Sequence, residues 1–345
     1  MDHQSSVLDR QPCVDRPSAC RTSPLPEARG CITEVLFGAL TRSGDLADVP
    51  LRDDPLTGDD FHLALYCCYE LHYQGFEGIS DTWEWDPRLI SFRHRLEQAF
   101  ERRLRDEVAP LPQGPVVPVL HALANAPGPS LSRYMANEGT IWQFREFVVH
   151  RSPYQLKEAD PHTWVIPRLR GAPKASTIKL QMEEYGEGVE ADMHSTLFAE
   201  VMDELGLDPT YGHYLDVVPG STLATTNLIS MCGLNRRLRG ALVGHLALFE
   251  MTSVLPMSRY SSALERLNAG PRARRFYDVH IDADTVHEVL ASEHLAGRLA
   301  DEEPELAADI IFGAAAANVV EAGFATAILD AWGNGRSSLR SPLSC

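Results

Sequence analysis

From Asp59 onward the apolar residues recur at helical spacing rather than in alternation. The stretch "DDFHLALYCCYELHYQGF" opens on acidic capping residues and then repeats its apolar positions with a helical period. "PRLISFRHRLEQAFERRLRDEV" follows, with Pro87 at the first helical position, where a missing N–H costs nothing, and with charges along its outer face. The same pattern predicts helices over 115–125, 138–157, 174–185, 190–206, 221–232, 234–255, 257–268, 275–299 and 304–334. Gly and Pro punctuate between them, as in "APGPS", "VVPGS" and "NAGPRA". Strand-like alternation is nearly absent and no internal repeat is found, so the expected fold is an all-α bundle over 58–335. Residues 1–57 are rich in Pro, Ser, Asp and Arg, and only 31–40 reads as helical. They are expected to form an irregular, mobile or loosely docked extension with little chemistry, and 336–345 a short tail.

One helical segment carries an unusual polar stripe. In "FYDVHIDADTVHEV", His280, Asp284 and His287 stand four and three positions apart. At about 100° per residue they project at roughly 0°, 40° and −20°, a narrow arc. Val279, Ala283, Val286 and Leu290 form an apolar stripe beside it, so the arc borders a core. A solvated face and a ligand stripe both fit this pattern. A metal would need four to six donors, which one helix cannot supply, and carboxylates with imidazoles favour iron or manganese.

Further donors lie upstream. "LQMEEYGEGVEADMHSTLFAEVM" offers Glu183, Glu184, Glu187 and His194 just before an apolar run. Glu250 interrupts the apolar helix "RRLRGALVGHLALFEMTSVL", where an unpaired carboxylate would cost several kcal/mol. It needs a cation, a proton or an arginine, with Arg236 and Arg239 at hand. His245, about 140° around that helix from Glu250, is read as structural. "YQLKEADPHTW" supplies Glu158, Asp160 and His162 at a helix end, where exposure is the ordinary reading.

Composition narrows the classes. A net charge of −17 with scattered arginines speaks against a nucleic-acid partner. No apolar run long enough to span a bilayer appears and the first thirty residues lack a secretory core, so no membrane partner is expected and the protein is expected to be soluble and cytoplasmic. Seven cysteines without a CxxC pair argue against a disulfide framework and a thiolate zinc site.

Taken together, "YELHYQGF", "YQLKEADPHTWVIPRL", "EYGEGVEADMH", "RGALVGHLALFEMTS" and "FYDVHIDADTVH" resemble the haem-oxygenase-like iron-containing redox enzymes, also called haem-oxygenase-like di-iron oxidases. The resemblance runs from about Phe61 to near Phe312. It implies a haem-oxygenase-like helical bundle that binds no haem but two Fe(II) ions, with O2 as co-substrate. The implied metal ligands are Glu184 and His194 from a first core helix, Glu250 from a second, and His280, Asp284 and His287 from a third. Glu158 falls where some members add a ligand, and Glu187, seven residues before His194, is the reserve for Glu184. No separate catalytic residue is implied. Neutral imidazoles and bridging carboxylates suit Fe(II) and leave positions open for O2. Phe198, Leu246, Phe249 and Val286 would restrict water around them. The implied activity is oxidation of a small-molecule substrate by N-oxygenation, oxidative decarboxylation or C–C cleavage, which leaves room for an external electron donor and for a homodimer. Two alternatives stand beside it: a non-catalytic helical binding or scaffold protein, and a metal-free, thiaminase-like enzyme with a Cys nucleophile. For the latter no cysteine lies in an acid or histidine constellation, and Cys67 and Cys68 read as core.

Overall fold

A computed structural model of the chain describes residues 22–42, 46 and 49–343, the side chains of 282–286 excepted. Among the described residues there are helices and no strand. In chain order the α-helices are α1 (Cys31–Arg42), α2 (Asp59–Glu70), α3 (Pro87–Glu107), α4 (Val116–Ala124), α5 (Leu131–Asn137), α6 (Ile141–Gln155), α7 (Asp160–Thr163), α8 (Gly171–Glu184), α9 (His194–Glu204), α10 (Gly220–Leu234), α11 (Arg239–Arg266), α12 (Pro271–Val289), α13 (Arg298–Glu302) and α14 (Ala307–Gly333). A π-helical segment, Leu290–Gly297, joins α12 to α13.

Helix α11 lies at the centre, flanked by α14 on one side and α12 on another. Small residues bring α11 and α14 together backbone to backbone: a Cβ at Gly244 would collide with the Ile310 carbonyl, and one at Gly313 with the Ala241 carbonyl. Helix α12 also packs on α9, α8 packs on the π segment, and α10 packs on α2 and α14. Together with its preceding turn, α11 is long and apolar enough to cross a membrane, as is α14, but each is more than half buried inside the bundle. Their apolar character is that of core helices.

Local chemistry moves several boundaries from where periodicity put them. The helix expected over 138–157 is α6, which starts only at Ile141, where Thr140 begins it by donating its N–H to Gln143 Oε1 at 2.9 Å, and α5, which ends at Asn137 before that range, was not expected. Helix α11 runs through Pro256, where two helices were expected. The proline removes the N–H that would bond the Thr252 carbonyl. Residues 251–259 are half-exposed or exposed, so water can reach that carbonyl and the helix continues. The segment expected as helix from 190 becomes α-helical only at His194, after positive φ at Gly186, Glu187 and Gly188 and a short 3-10 turn over Glu190–Asp192.

The segment 22–42 packs far more tightly than a loosely docked extension would. Ile32 and Leu36 are buried, and Asp60 of α2 caps α1 by accepting the N–H groups of Ile32 and Thr33, each at 2.9 Å. At the other end, Glu146 accepts from Trp332 Nε1 and from the Ser338 N–H, both at 2.9 Å, which ties the residues after α14 to α6.

Candidate metal centre

Four local structures carry carboxylates or imidazoles to one buried region. Glu158 sits in the turn between α6 and α7, next to Ala159, whose φ of 75° is unusual for a residue with a side chain. Lys157 anchors that turn from the other side, since its ammonium is buried against Glu70 Oε2 at 2.7 Å and lies over the Tyr73 ring. Glu184 ends α8 and His194 begins α9. The glycine-rich turn between them folds back, so residues ten apart meet across a break rather than along one helix. Glu250 lies mid-way along α11, and His280 and His287 on α12.

The donor atoms converge on two points. Glu158, Glu184, His194 and His280 each offer one atom within 4.8 Å of the others, and so do Glu184, Glu250 and His287. Glu184 belongs to both groups. His194 Nδ1 is 2.7 Å from Glu184 Oε2, His280 Nε2 is 3.8 Å from Glu158 Oε1, and His287 Nδ1 is 3.2 Å from Glu250 Oε2. His280 donates Nδ1–H to the Phe276 carbonyl at 2.7 Å, which leaves its Nε2 lone pair directed at the group. On its far edge, His287 Nε2 is 2.5 Å from Glu183 Oε2.

A cation fits this donor set. His194 Nδ1 and Glu184 Oε2 are buried and face each other closely, yet neither has a hydrogen bond of acceptable geometry. Atoms oriented toward a shared point rather than toward each other are what ligands around an ion look like. The described ion pairs of Glu158, Glu184 and Glu250 all run to histidines, and Arg239 is taken by Glu303. Burial pushes the Glu158 carboxyl above its ordinary range, against the pull of His280. Burial acts on Glu184 too, but His194 and His280 outweigh it and hold that carboxyl at about 2. Carboxylate oxygens with imidazole nitrogens, and no sulfur among these residues, suit iron or manganese better than a soft ion. Phe276 packs edge-on to His194 and tilted against His280, and Phe198 backs it, so this side is shielded from water.

Not every residue singled out from sequence arrives here. The side chain of Asp284, like that of Val286, lies outside the described residues. Glu187 is exposed in the turn before His194 and belongs to neither group. Asp160 instead accepts from the Tyr185 hydroxyl at 2.7 Å and so braces the end of α8. His162 and His245 form a buried pair, Nε2 to Nδ1 at 3.3 Å, each held neutral by burial, His162 with its pKa lowered to about 4. That pair depends on how α7 meets α11, which local sequence does not reveal. Glu183, offered among the upstream donors but absent from the implied ligand set, meets His287 instead. Its signal was an acid in the last turn of a helix, where the macrodipole disfavours negative charge.

Comparisons with known proteins place the same part of the chain in a family. The family described as iron-containing redox enzymes matches residues 145–322, which hold both donor groups. The chain is also 27% identical over 151 residues to a nitrosourea synthase of Streptomyces achromogenes subsp. streptozoticus. That match covers 44% of this chain and 32% of the relative, so it spans about a third of the relative's length.

Proposed function

Because the chain belongs to the iron-containing redox enzymes, we propose that it is a non-haem oxidoreductase that holds two Fe(II) ions and uses O2 to oxidise a small organic molecule. One observation carries the reading: Glu184 is common to both donor groups, the arrangement of a carboxylate that bridges two ions. Glu158, His194 and His280 would complete one side, Glu250 and His287 the other. A pair of ferrous ions supplies the electron pair that O2 chemistry at one site requires.

The chain's own residues do the rest. His280 is oriented by the Phe276 carbonyl, and the aromatic wall of Phe198 and Phe276 keeps bulk water from the oxidising site. Tyr154 of α6 and Phe249 of α11 pack edge to face at 6.3 Å. A nitrosourea carries nitrogen oxidised beyond the level of an amine or urea, so the likeness to a nitrosourea synthase favours oxidation at nitrogen over decarboxylation or C–C cleavage. An external electron donor would be a partner of such an enzyme.

A thiaminase-like reading finds less support. Among the described cysteines, Cys67, Cys68 and Cys232 are buried, and burial raises each thiol, that of Cys68 to about 12, so none of these three is poised as a thiolate, and the exposed Cys31 belongs to neither donor group. The experiment is an anaerobic Fe(II) titration followed by exposure to O2. Uptake of about two equivalents and a transient visible absorption after mixing are expected of such a site. Failure of the full-length protein to take up iron would contradict the reading.

A further inference from the structure

Both ring nitrogens of His287 face carboxylates, Nδ1 toward Glu250 and Nε2 toward Glu183. Glu183 is in neither donor group, so the Nε2 edge of the ring points away from the convergence point and the Nδ1 edge points into it. We propose that Glu183 is a positioning residue: it accepts the Nε2–H of His287 and thereby fixes the tautomer that presents the Nδ1 lone pair to the second metal position, beside Glu184 and Glu250. The inference rests on the two-metal reading above.

Two features of the fold support it. Glu183 occupies the last turn of α8, where the helix dipole disfavours an acid unless something offsets it. The fully buried His287 ring, 2.5 Å away, is that offset. The placement is also held in register. Helix α8 packs on the π segment that follows His287, and Ser176 Oγ donates to the His294 carbonyl at 3.3 Å. Two consecutive acids at one helix end, about 100° apart, therefore serve different partners: Glu184 turns toward His194 and Glu183 toward His287. The contrast with His280 is instructive, because there a backbone carbonyl on the same helix sets the tautomer. His287 takes this partner from another helix.

The consequence is selective. Loss of a carboxylate that orients a metal-bound histidine typically costs ~10–100-fold in metal affinity. In Glu183→Ala that loss should fall on the second position alone, with the position formed by Glu158, Glu184, His194 and His280 unchanged. Alanine is the better helix former at this half-exposed site, so the fold should survive.

The test has two arms. In metal-free protein labelled with 15N at histidine, and assigned with His287→Ala, His287 should show a downfield Nε2–H signal that Glu183→Ala abolishes and Glu250→Ala keeps. In an anaerobic Co(II) titration, wild type should bind two ions, and Glu183→Ala should weaken only one of them ~10–100-fold. A His287 protonated at Nδ1 alone, or a Glu183→Ala variant with unchanged Nε2–H signal and Co(II) binding, overturns the inference. If wild type binds fewer than two Co(II) ions, the two-metal reading fails and the metal half of the inference with it. The NMR arm still decides whether Glu183 sets the tautomer.

Discussion

Glu158 sits in a turn, Glu184 at a helix end and Glu250 in the middle of a helix, and each belongs to a different combination of donor groups. Truncation should therefore remove metal in different ways. Glu158→Ala should lower iron uptake at the first position, and Glu250→Ala at the second, each leaving about one equivalent by anaerobic titration. Retention of both ions in either variant would show that the carboxylate is not a ligand. At this scale the sequence was informative wherever a polar residue carried a visible cost. Glu250 among Leu248, Phe249 and Met251 needed a partner, and His287 of α12 provides one. Glu183 was illegible because its neighbour Glu184 has the same chemistry. Only the angle of α8 against α12 tells which imidazole each acid meets.

At the scale of helices, the centre is assembled by contacts between α11, α12, α8 and α9, and α14 holds α11 in place. The Gly244 and Gly313 contacts fix that spacing. Gly244→Ala tests it through two opposed effects: alanine favours a helix by about 1 kcal/mol, but overpacking a close contact costs typically 1–3 kcal/mol or more. The added Cβ would meet a backbone carbonyl that cannot rotate away, so net destabilisation is expected, read as a lower melting temperature. An unchanged or raised value would mean that the two helices can part freely. Helical periodicity alone predicted most of these elements. It failed at Pro256, because local solvent access decides whether a helix tolerates proline, and at 190–193, where a short 3-10 turn precedes the α-helix that begins at His194.

For the molecule as a whole, buried neutral histidines link stability to pH. Burial lowers His62 to about 4 and His150 to about 3 from an ordinary value of 6.5. The unfolded chain then binds more protons than the folded one between those limits, so stability falls as pH drops below about 6.5 and the loss levels off only near pH 3. Each group can contribute on the order of 3 kcal/mol once the loss is complete. Urea unfolding at pH 7 and pH 4.5 should show a clear drop, and equal stability at the two values would contradict this. The sequence predicted the all-α class because periodicity is local. It did not reveal that 22–42 is part of the packed structure, since the cap from Asp60 and the burial of Arg29 against Leu215 join distant parts of the chain.

If one carboxylate serves two metal positions, anaerobic Fe(II) binding in wild type and in Glu184→Ala should reveal it. Wild type is expected to take up about two equivalents, and the variant, deprived of the bridge, to lose affinity at both positions together. A variant that lost one ion and kept the other at wild-type affinity would contradict a shared Glu184.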